Sequence, residues 1–443
     1  MTLLPPSFED LTDETIRSNS SVNKLDPEDR AFHDWYRFVL SFPPHLVRDY
    51  LIDFAAEANS VVLDPFCGTG TTLVEAKRAR LQSYGTEANY FAHFASRVKT
   101  NWGVSPDLLL EQSIEIANIA SRRLNEQGIT DRVSFAPEID ESSLNQLSGE
   151  EDKLILKNSI SPLPLHKSII LLETLNEYRL DSIYEHQLLA LANALVFKIS
   201  NLHFGPEVGV RKPKLDAPVI STWLHEVKKM VDDLQTVEGG NRTSSKVILA
   251  DARELDSVLP ERSVDLVITS PPYPNEKDYT RTTRLESVIL GFINTQSDLR
   301  DLKKGLLRSN TRNVYKDDDD DKWVENNAEI QEIAHTIEAR RIELGKTSGF
   351  EKLYGRVTKL YFGGMARHLA SMRTVLKPNA RLAYVVGDQA SYLRVMIRTG
   401  NLLANIAEEL GYEVDRIDLF RTRLATATRE QLREEVVVLR WNG

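Results

Sequence analysis

The stretch Ser60-Val61-Val62-Leu63-Asp64-Pro65-Phe66-Cys67-Gly68-Thr69-Gly70-Thr71-Thr72 decides the fold. An apolar run ends in an acid, a turn with two glycines follows, and Thr72 to Arg80 has a helical pattern, which together read as strand, loop and helix. The unit then repeats. Gln82 to Thr86 reads as a second strand closing on Glu87, and Asn89 to Val98 as a second helix. Two successive units of this kind imply a parallel sheet with helices packed on it. In such sheets ligands bind beyond the carboxyl ends of the strands, where glycine admits the backbone and helix amino termini offer free N–H groups. Asp64 to Thr72 lies at one such end. The Gly68-x-Gly70 spacing is weak by itself, but Glu87 at the next strand end can accept both hydroxyls of a ribose, and the combination predicts an adenosine-containing cofactor.

Outward from this pair of units, the pattern changes between Trp102 and Arg242 to long helical stretches, such as Asp107 to Gln127 and Ala217 to Leu234. Prolines break it at Ser161-Pro162-Leu163-Pro164 and Phe204-Gly205-Pro206. We read residues 101–245 as a mostly helical insertion between the second and third strands, available for target recognition. Strands resume at Lys246 to Ala250 and Val264 to Thr269. A second insertion, about Gly291 to Phe350, carries Arg300, Lys303, Lys304, Arg308, Arg312 and Lys316, then the acidic run Asp317 to Asp321. It is expected to be an exposed, charged arm whose basic side chains meet nucleic-acid phosphates. The run Tyr315 to Lys322 is similar to a common epitope tag with one aspartate added, although its position inside a charged loop points to a native acidic turn. A helix from Gly355 to Leu376, the turn Lys377-Pro378-Asn379, a strand from Arg381 to Val386, a helix from about Ser391 to Leu410, and final strands Glu413 to Leu419 and Glu435 to Trp441 complete the pattern. Seven strands, with helices between the first five and a hairpin-like last pair, predict an α/β doubly wound sheet with an antiparallel edge. The core is thus expected in three pieces, 1–100, 246–290 and 355–443, separated by the insertions 101–245 and 291–354.

Composition narrows the class. With 443 residues, 41% hydrophobic and 27% charged, the chain can bury a large core. No apolar run approaches the roughly 18 residues of a membrane span, and Met1 to Arg17 has acids where a secretory leader has bases, so a cytoplasmic address is expected. One cysteine, Cys67, gives neither a disulfide framework nor a zinc cluster, and no metal is expected. The net charge of -10 does not favour a nucleic-acid partner, yet it leaves room for a local basic groove. Gly345-Lys346-Thr347 imitates the end of a phosphate-binding loop, but Arg340 stands where its first glycine is needed.

Thr269-Ser270-Pro271-Pro272-Tyr273 follows the fourth strand. Two prolines remove two N–H donors and stiffen the loop, so carbonyls point into the cleft. An exocyclic amino group is a poor nucleophile because its lone pair is conjugated with the ring. Acceptors at Ser270 Oγ and the Pro271 carbonyl would draw its hydrogens out of plane and favour attack on a methyl donor, while Tyr273 offers a stacking face for an extruded base. The segment Asn275 to Arg281 is polar and aromatic and reads equally as base pocket or phosphate contact. Gly387-Asp388-Gln389 either faces the cleft or is a simple turn.

Asp64 to Thr72 resembles the cofactor loop of class I S-adenosylmethionine-dependent DNA amino-methyltransferases of the N4-cytosine and N6-adenine group. Ser270-Pro271-Pro272-Tyr273 is similar to their catalytic tetrapeptide, and Phe42-Pro43-Pro44-His45-Leu46 to their Phe-Pro-x-x-Leu element. The resemblance implies a Rossmann-like methyltransferase sheet and S-adenosyl-L-methionine as cofactor. It implies that Phe42, Pro43, Asp64, Phe66, Gly68, Gly70, Thr71, Thr72, Glu87 and Asp251 bind the cofactor, with Asp64 near the methionine amino group, Glu87 on the ribose and Asp251 on the adenine. It further implies catalysis by Ser270, Pro271, Pro272 and Tyr273 on a base flipped from double-stranded DNA, with a restriction endonuclease or other defence component as a possible partner. Serine before the prolines favours cytosine N4 over adenine N6, whereas the motif order here differs from that common among Ser-Pro-Pro-Tyr enzymes. Cys67 is expected to be a small packed residue and not a nucleophile. An RNA guanine N2-methyltransferase and a catalytically silent DNA-binding subunit are the competing readings.

Overall fold

The computed structural model describes residues 25–37, 41–133, 140–205, 207–237, 241–424 and 431–443. Strands run at β1 Val61–Asp64, β2 Gln82–Glu87, β3 Leu202–Phe204, β4 Val208–Val210, β5 Ser245–Leu249, β6 Val264–Thr269, β7 Leu376–Gly387, β8 Glu413–Leu424 and β9 Gln431–Trp441. Seven of them form one sheet in the order β5-β2-β1-β6-β7-β9-β8. The first five in this order are parallel, and β9 inserts antiparallel between β7 and β8. The chain moves outward from β1 through β2 to β5, then returns to the other side of β1 with β6. This is the α/β doubly wound sheet with an antiparallel edge that the strand pattern predicted.

The central strands read as near-continuous apolar runs because helices cover both faces. Val62, Leu63, Val267, Ile268, Leu382 and Val437 are fully buried. On one face Leu63, Val267, Leu382 and Val437 pack with the helix Tyr354–Val375, while on the other Val62, Ile268, Ala383 and Val436 pack with the helix Pro44–Asp53.

The insertion between β2 and β5 is helical, as expected, with helices at Pro106–Glu126, Pro162–Asn176, Tyr184–Ala194 and Ile220–Gln235. Trp223 sits at its centre and donates to the Gln187 carbonyl at 2.9 Å. Residues Phe32 to Trp35 pack onto it as well: Phe32 stacks on Trp102, and the Trp35 indole donates to Asp233 at 2.7 Å. The small hairpin β3–β4 carries no alternation strong enough to be read from sequence.

The structure corrects two expectations. Residues 291–354 are not an exposed arm. Leu299, Leu302, Leu307, Val324, Ile330 and Ile337 are buried, and the acids of the run alternate, with Asp317 and Asp319 exposed and Asp318 and Asp320 turned inward. Asp318 pairs with Arg308, Asp320 with Arg253 and Arg367, and Lys303 with Asp278. The run packs so tightly on the helix Tyr354–Val375 that a Cβ on Gly363 would fall 1.9 Å from the Asp320 carbonyl. Composition displays charges without showing their partners, so Arg308 and Lys303 are not phosphate contacts; Arg300, Lys304 and Arg312 remain exposed. The second correction concerns Ser391 to Arg398. This segment is not helical, and the helix begins at Thr399. Leu393 and Arg394 adopt left-handed backbone, and the buried Tyr392 anchors the loop by donating to the Ser309 carbonyl at 3.0 Å.

Candidate cofactor and catalytic site

The sheet reverses its winding between β1 and β6, and that crevice is where ligands bind in open α/β sheets. Both singled-out loops leave from it. Thr269, the last residue of β6, donates its hydroxyl to Asp64 Oδ1 at 2.6 Å, and Thr72 donates to the Ile268 carbonyl at 3.1 Å. The loop after β1 is also tied to β2: Thr86 Oγ1 donates to the Pro65 carbonyl at 2.7 Å, the Cys67 amide to the Thr86 carbonyl at 3.1 Å, and the Gly68 amide to Glu87 Oε2 at 2.9 Å. Glu87 Oε1 accepts from the Asn89 amide at 2.7 Å, and Asn89 in turn caps the helix Tyr90–Lys99.

The two glycines of the loop do different work. Gly68 has φ +50, and a Cβ there would meet nothing within 4 Å. Gly70 has φ +86 and a Cβ would lie 2.6 Å from Ser96 Oγ, so it lets the helix Thr71–Arg78 approach its neighbour. Cys67 packs between Gly85 and Ser96; burial pushes its thiol up, which suits a packed residue and not a nucleophile.

One cavity of about 500 Å³ joins the two loops. Phe42, Phe66, Gly68, Thr71, Glu87 and Asp251 line one end, and Ser270, Pro271, Pro272 and Tyr273 line the other. Pro43, Asp64, Gly70 and Thr72 are not among the lining residues; they lie behind the wall and shape it. Asp64 is fully buried, with Oδ1 accepting from Thr269 and from the Phe66 amide at 3.1 Å and Oδ2 lacking a hydrogen-bond partner among the described residues. Burial raises its carboxyl from 3.8 to about 6, partly offset by the Thr269 and Phe66 bonds. Burial likewise raises Glu87 from 4.5 to about 7, against the Asn89 and Gly68 amides. Asp251 is gripped by Arg253, whose Nη2 lies 2.5 Å from Oδ2 and whose Nη1 bonds Asp320, so the cofactor end is linked to the second insertion.

These residues fit the adenosine-bearing sulfonium cofactor. Glu87 offers acceptors for ribose hydroxyls, Phe42 and Phe66 are apolar walls, open space stands beside Gly68, and the buried Thr69 hydroxyl, also lining the cavity, has no partner among the described residues.

At the catalytic end, Ser270 Oγ donates to the Val385 carbonyl of β7 at 3.1 Å. Its only proton is thereby engaged, and the hydroxyl oxygen remains as an acceptor. The Tyr273 amide donates to the Tyr279 hydroxyl at 3.1 Å, and its ring lies so close to Gly387 that a Cβ there would be 2.8 Å from Cε2. Asn275, Glu276, Lys277 and Tyr279 line the cavity too, which brings part of the polar segment after Tyr273 into the site. Sequence reading missed Asn313, from the second insertion, and Glu434, from β9. Glu434 is held by Arg421 through bonds of 2.6 and 2.9 Å; it stands in the charged run Arg433-Glu434-Glu435 at the start of the strand, which carries no signal of a site. Gln389 lines the cavity as well, one of the two placements its sequence allowed.

A family model described as DNA methylase, of the N6/N4 methyltransferase type, matches residues 12–95. The type II methyltransferase M.BsoBI of Geobacillus stearothermophilus is 23% identical over 452 residues, covering 93% of this chain and 85% of that protein. The type II methyltransferase M.AvaI, from Nostoc and from Anabaena variabilis, is 24% identical over 441 residues, covering 95% and 87%. Among solved structures, the rRNA methyltransferase aviRa from Streptomyces viridochromogenes aligns over 96% of this chain and 93% of its own at 9% identity, with a TM-score of 0.31; the fold assignment rests on strand order instead. Among the described residues no helix is long and apolar enough to cross a membrane. The matched family model, the relatives aligned along most of their length and the residues at the β1 and β6 ends support an S-adenosylmethionine-dependent amino-methyltransferase of the N4/N6 group.

Proposed function

We propose that the chain methylates double-stranded DNA on the exocyclic amino group of a flipped base, with cytosine N4 as the favoured target and adenine N6 second. The observation that carries this reading is the single cavity joining Gly68 and Glu87 to Ser270 and Tyr273 across the β1–β6 crevice. S-adenosylmethionine supplies an electrophilic methyl group when bound. Phe42, Phe66, Gly68, Thr71 and Glu87 would hold it, with Asp251 at the adenine end and Asp64 beneath the loop.

The chain's own part is orientation. Ser270, its proton committed to Val385, accepts one amino hydrogen, and a carbonyl of the proline pair accepts the other. Both acceptors favour the pyramidal nitrogen over the conjugated planar one, so their bonds strengthen toward the transition state. Tyr273 gives the base a rigid face because its ring is braced on Gly387. Serine contributes one neutral acceptor in little volume, which suits a pyrimidine. The type II relatives support a restriction endonuclease, or another component of a defence system, as the functional counterpart of this methylation.

The test is expression in a methylation-free host, followed by nucleoside mass spectrometry and base-resolved sequencing of the DNA. N4-methylcytosine is expected. N6-methyladenine alone overturns the cytosine assignment, and methylated RNA with unmodified DNA overturns the substrate class. Ser270→Ala should leave cofactor affinity intact and raise the barrier by roughly 2 to 4 kcal/mol; full activity refutes the acceptor mechanism.

A further inference from the structure

Two buried amides at the catalytic end of the cavity have polar atoms with no partner among the described residues. Asn313 is 1% exposed and its Oδ1 accepts nothing; Gln389 is 3% exposed and its Nε2 donates to nothing. Both residues line the cavity that contains Ser270 and Tyr273. A buried polar atom left unpaired forfeits its hydration without compensation, so two in one cavity call for an explanation in terms of what the cavity holds.

Their positions point to the base and not to the cofactor. Gln389 follows β7, on the far side of β6 from the cofactor loop, two residues after the Gly387 that braces Tyr273. A backbone bridge to Ile397 fixes its main chain, and Ser391 donates to its Oε1 at 3.4 Å, which leaves Nε2 as the open atom. Asn313 belongs to a segment that grips the loop after Tyr273. Asn310 donates to the Lys277 carbonyl at 3.1 Å, and Thr311 donates to Glu276 at 2.8 Å. The open pair therefore consists of one acceptor and one donor, held by two separate elements beside the catalytic tetrapeptide.

We infer that Asn313 and Gln389 read the ring edge of the target base, with Asn313 Oδ1 sharing with the proline-pair carbonyl the amino hydrogen that Ser270 does not take, and Gln389 Nε2 donating to the ring nitrogen beside it. This rests on the proposed DNA amino-methyltransferase reading. An amino group next to an unprotonated ring nitrogen is the edge of cytosine and of adenine. The corresponding edge of thymine, a keto oxygen beside an N–H, meets acceptor against acceptor and donor against donor. The pair thus has two effects: it admits only a base that carries a reactive amino group, and it fixes that amino group before Ser270 acts on it. Through Asn313 the second insertion would take part in reading the substrate.

The experiment uses the full chain and a duplex containing the site mapped by sequencing, alongside the same duplex with an abasic position in place of the target base. Gln389→Met and Asn313→Leu are compared with the parent protein for duplex affinity, cofactor affinity and turnover. Each variant should bind the base-bearing duplex roughly 10- to 100-fold more weakly, while binding the abasic duplex and S-adenosylmethionine as the parent does. Equal loss on both duplexes, or no loss on either, overturns the assignment. Where a variant also loses cofactor affinity, the isosteric Gln389→Glu and Asn313→Asp are judged by the same ratio of the two duplex affinities. A parent protein that leaves DNA unmethylated removes the reading on which the inference rests; a parent that methylates DNA while both variants keep the parent ratio removes the inference alone.

Discussion

Asp64→Asn should stabilise the cofactor-free protein above neutral pH and weaken cofactor binding at the same time. The carboxylate is fully buried, and its two hydrogen bonds both reach Oδ1, from Thr269 at 2.6 Å and from the Phe66 amide at 3.1 Å. Asparagine can present its oxygen to the same two donors and set its amide group where Oδ2 has no partner, so the exchange removes charge without a donor clash. Because burial lifts the folded-state value from 3.8 to about 6, the folded chain holds this proton more tightly than the unfolded chain. The resulting stability is fully present below pH 3.8 and is lost as pH rises through about 6. A rise of that size corresponds to about 3 kcal/mol, the cost of carrying the charge at about pH 8. Urea unfolding of both proteins from about pH 4 to about pH 8 should show their difference growing from near zero to about 3 kcal/mol in favour of the variant. A difference that does not vary with pH refutes the reasoning. Such a cost persists only if the charge serves the bound state, so calorimetric titration should show S-adenosylmethionine held at least about tenfold less tightly, equivalent to about 1.4 kcal/mol; unchanged affinity removes the functional role of the charge.

Three further outcomes follow from the same geometry. Gly68→Asp should abolish cofactor binding and lower the melting temperature only by the backbone strain of φ +50, because its side chain enters open cavity, whereas Gly70→Ala should lower the melting temperature further because φ is +86 and its Cβ also collides with Ser96 at 2.6 Å; the reverse pattern contradicts the division of labour between the two glycines. With Glu87 titrating at about 7 in the free protein and ionised when it accepts ribose hydroxyls, cofactor affinity should fall about tenfold between about pH 8 and about pH 6, with proton release on binding near neutrality, and a flat profile in calorimetry would count against that role. Arg308→Met should destabilise the fold by about 3 kcal/mol or more, since it leaves buried Asp318 without its partner, yet leave the salt dependence of DNA binding unchanged; a flattened salt slope would return Arg308 to the phosphate surface.

The sheet is legible because each strand announces itself locally. Val61 to Leu63 and Val264 to Ile268 are apolar runs that end at turn chemistry, and the glycines and prolines at those ends are visible one residue at a time. The geometry that makes a site of them is not local. Nothing in the sequence joins Asp64 to Thr269, 205 residues away, and nothing in the run Asp317 to Asp321 shows that alternate acids are spoken for by Arg253 and Arg308. The non-helical Ser391 to Arg398 segment reads as helix because Tyr392, Val395 and Met396 fall at the helical spacing i, i+3 and i+4, whereas the loop is fixed by the Tyr392 bond to Ser309 and the bridge from Ile397 to Gln389. Asn313 carries no signal at all, since an unsatisfied buried amide is a property of the folded cavity.

The strand order also governs when the protein becomes competent in the cell. β1 and β6 are neighbours in the sheet but lie about two hundred residues apart in the chain, and β9, which fills the place between β7 and β8, is translated last of the seven. At the usual 5 to 20 residues per second, the helical insertion alone keeps β1 waiting on the order of ten seconds or more for the strand that completes the crevice. During that interval Val62 and Leu63 lack one hydrogen-bonded neighbour, so the nascent chain presents an open sheet edge to whatever chaperones attend it. A chain interrupted before Gln431 leaves β7 and β8 unjoined, and its cavity lacks Glu434.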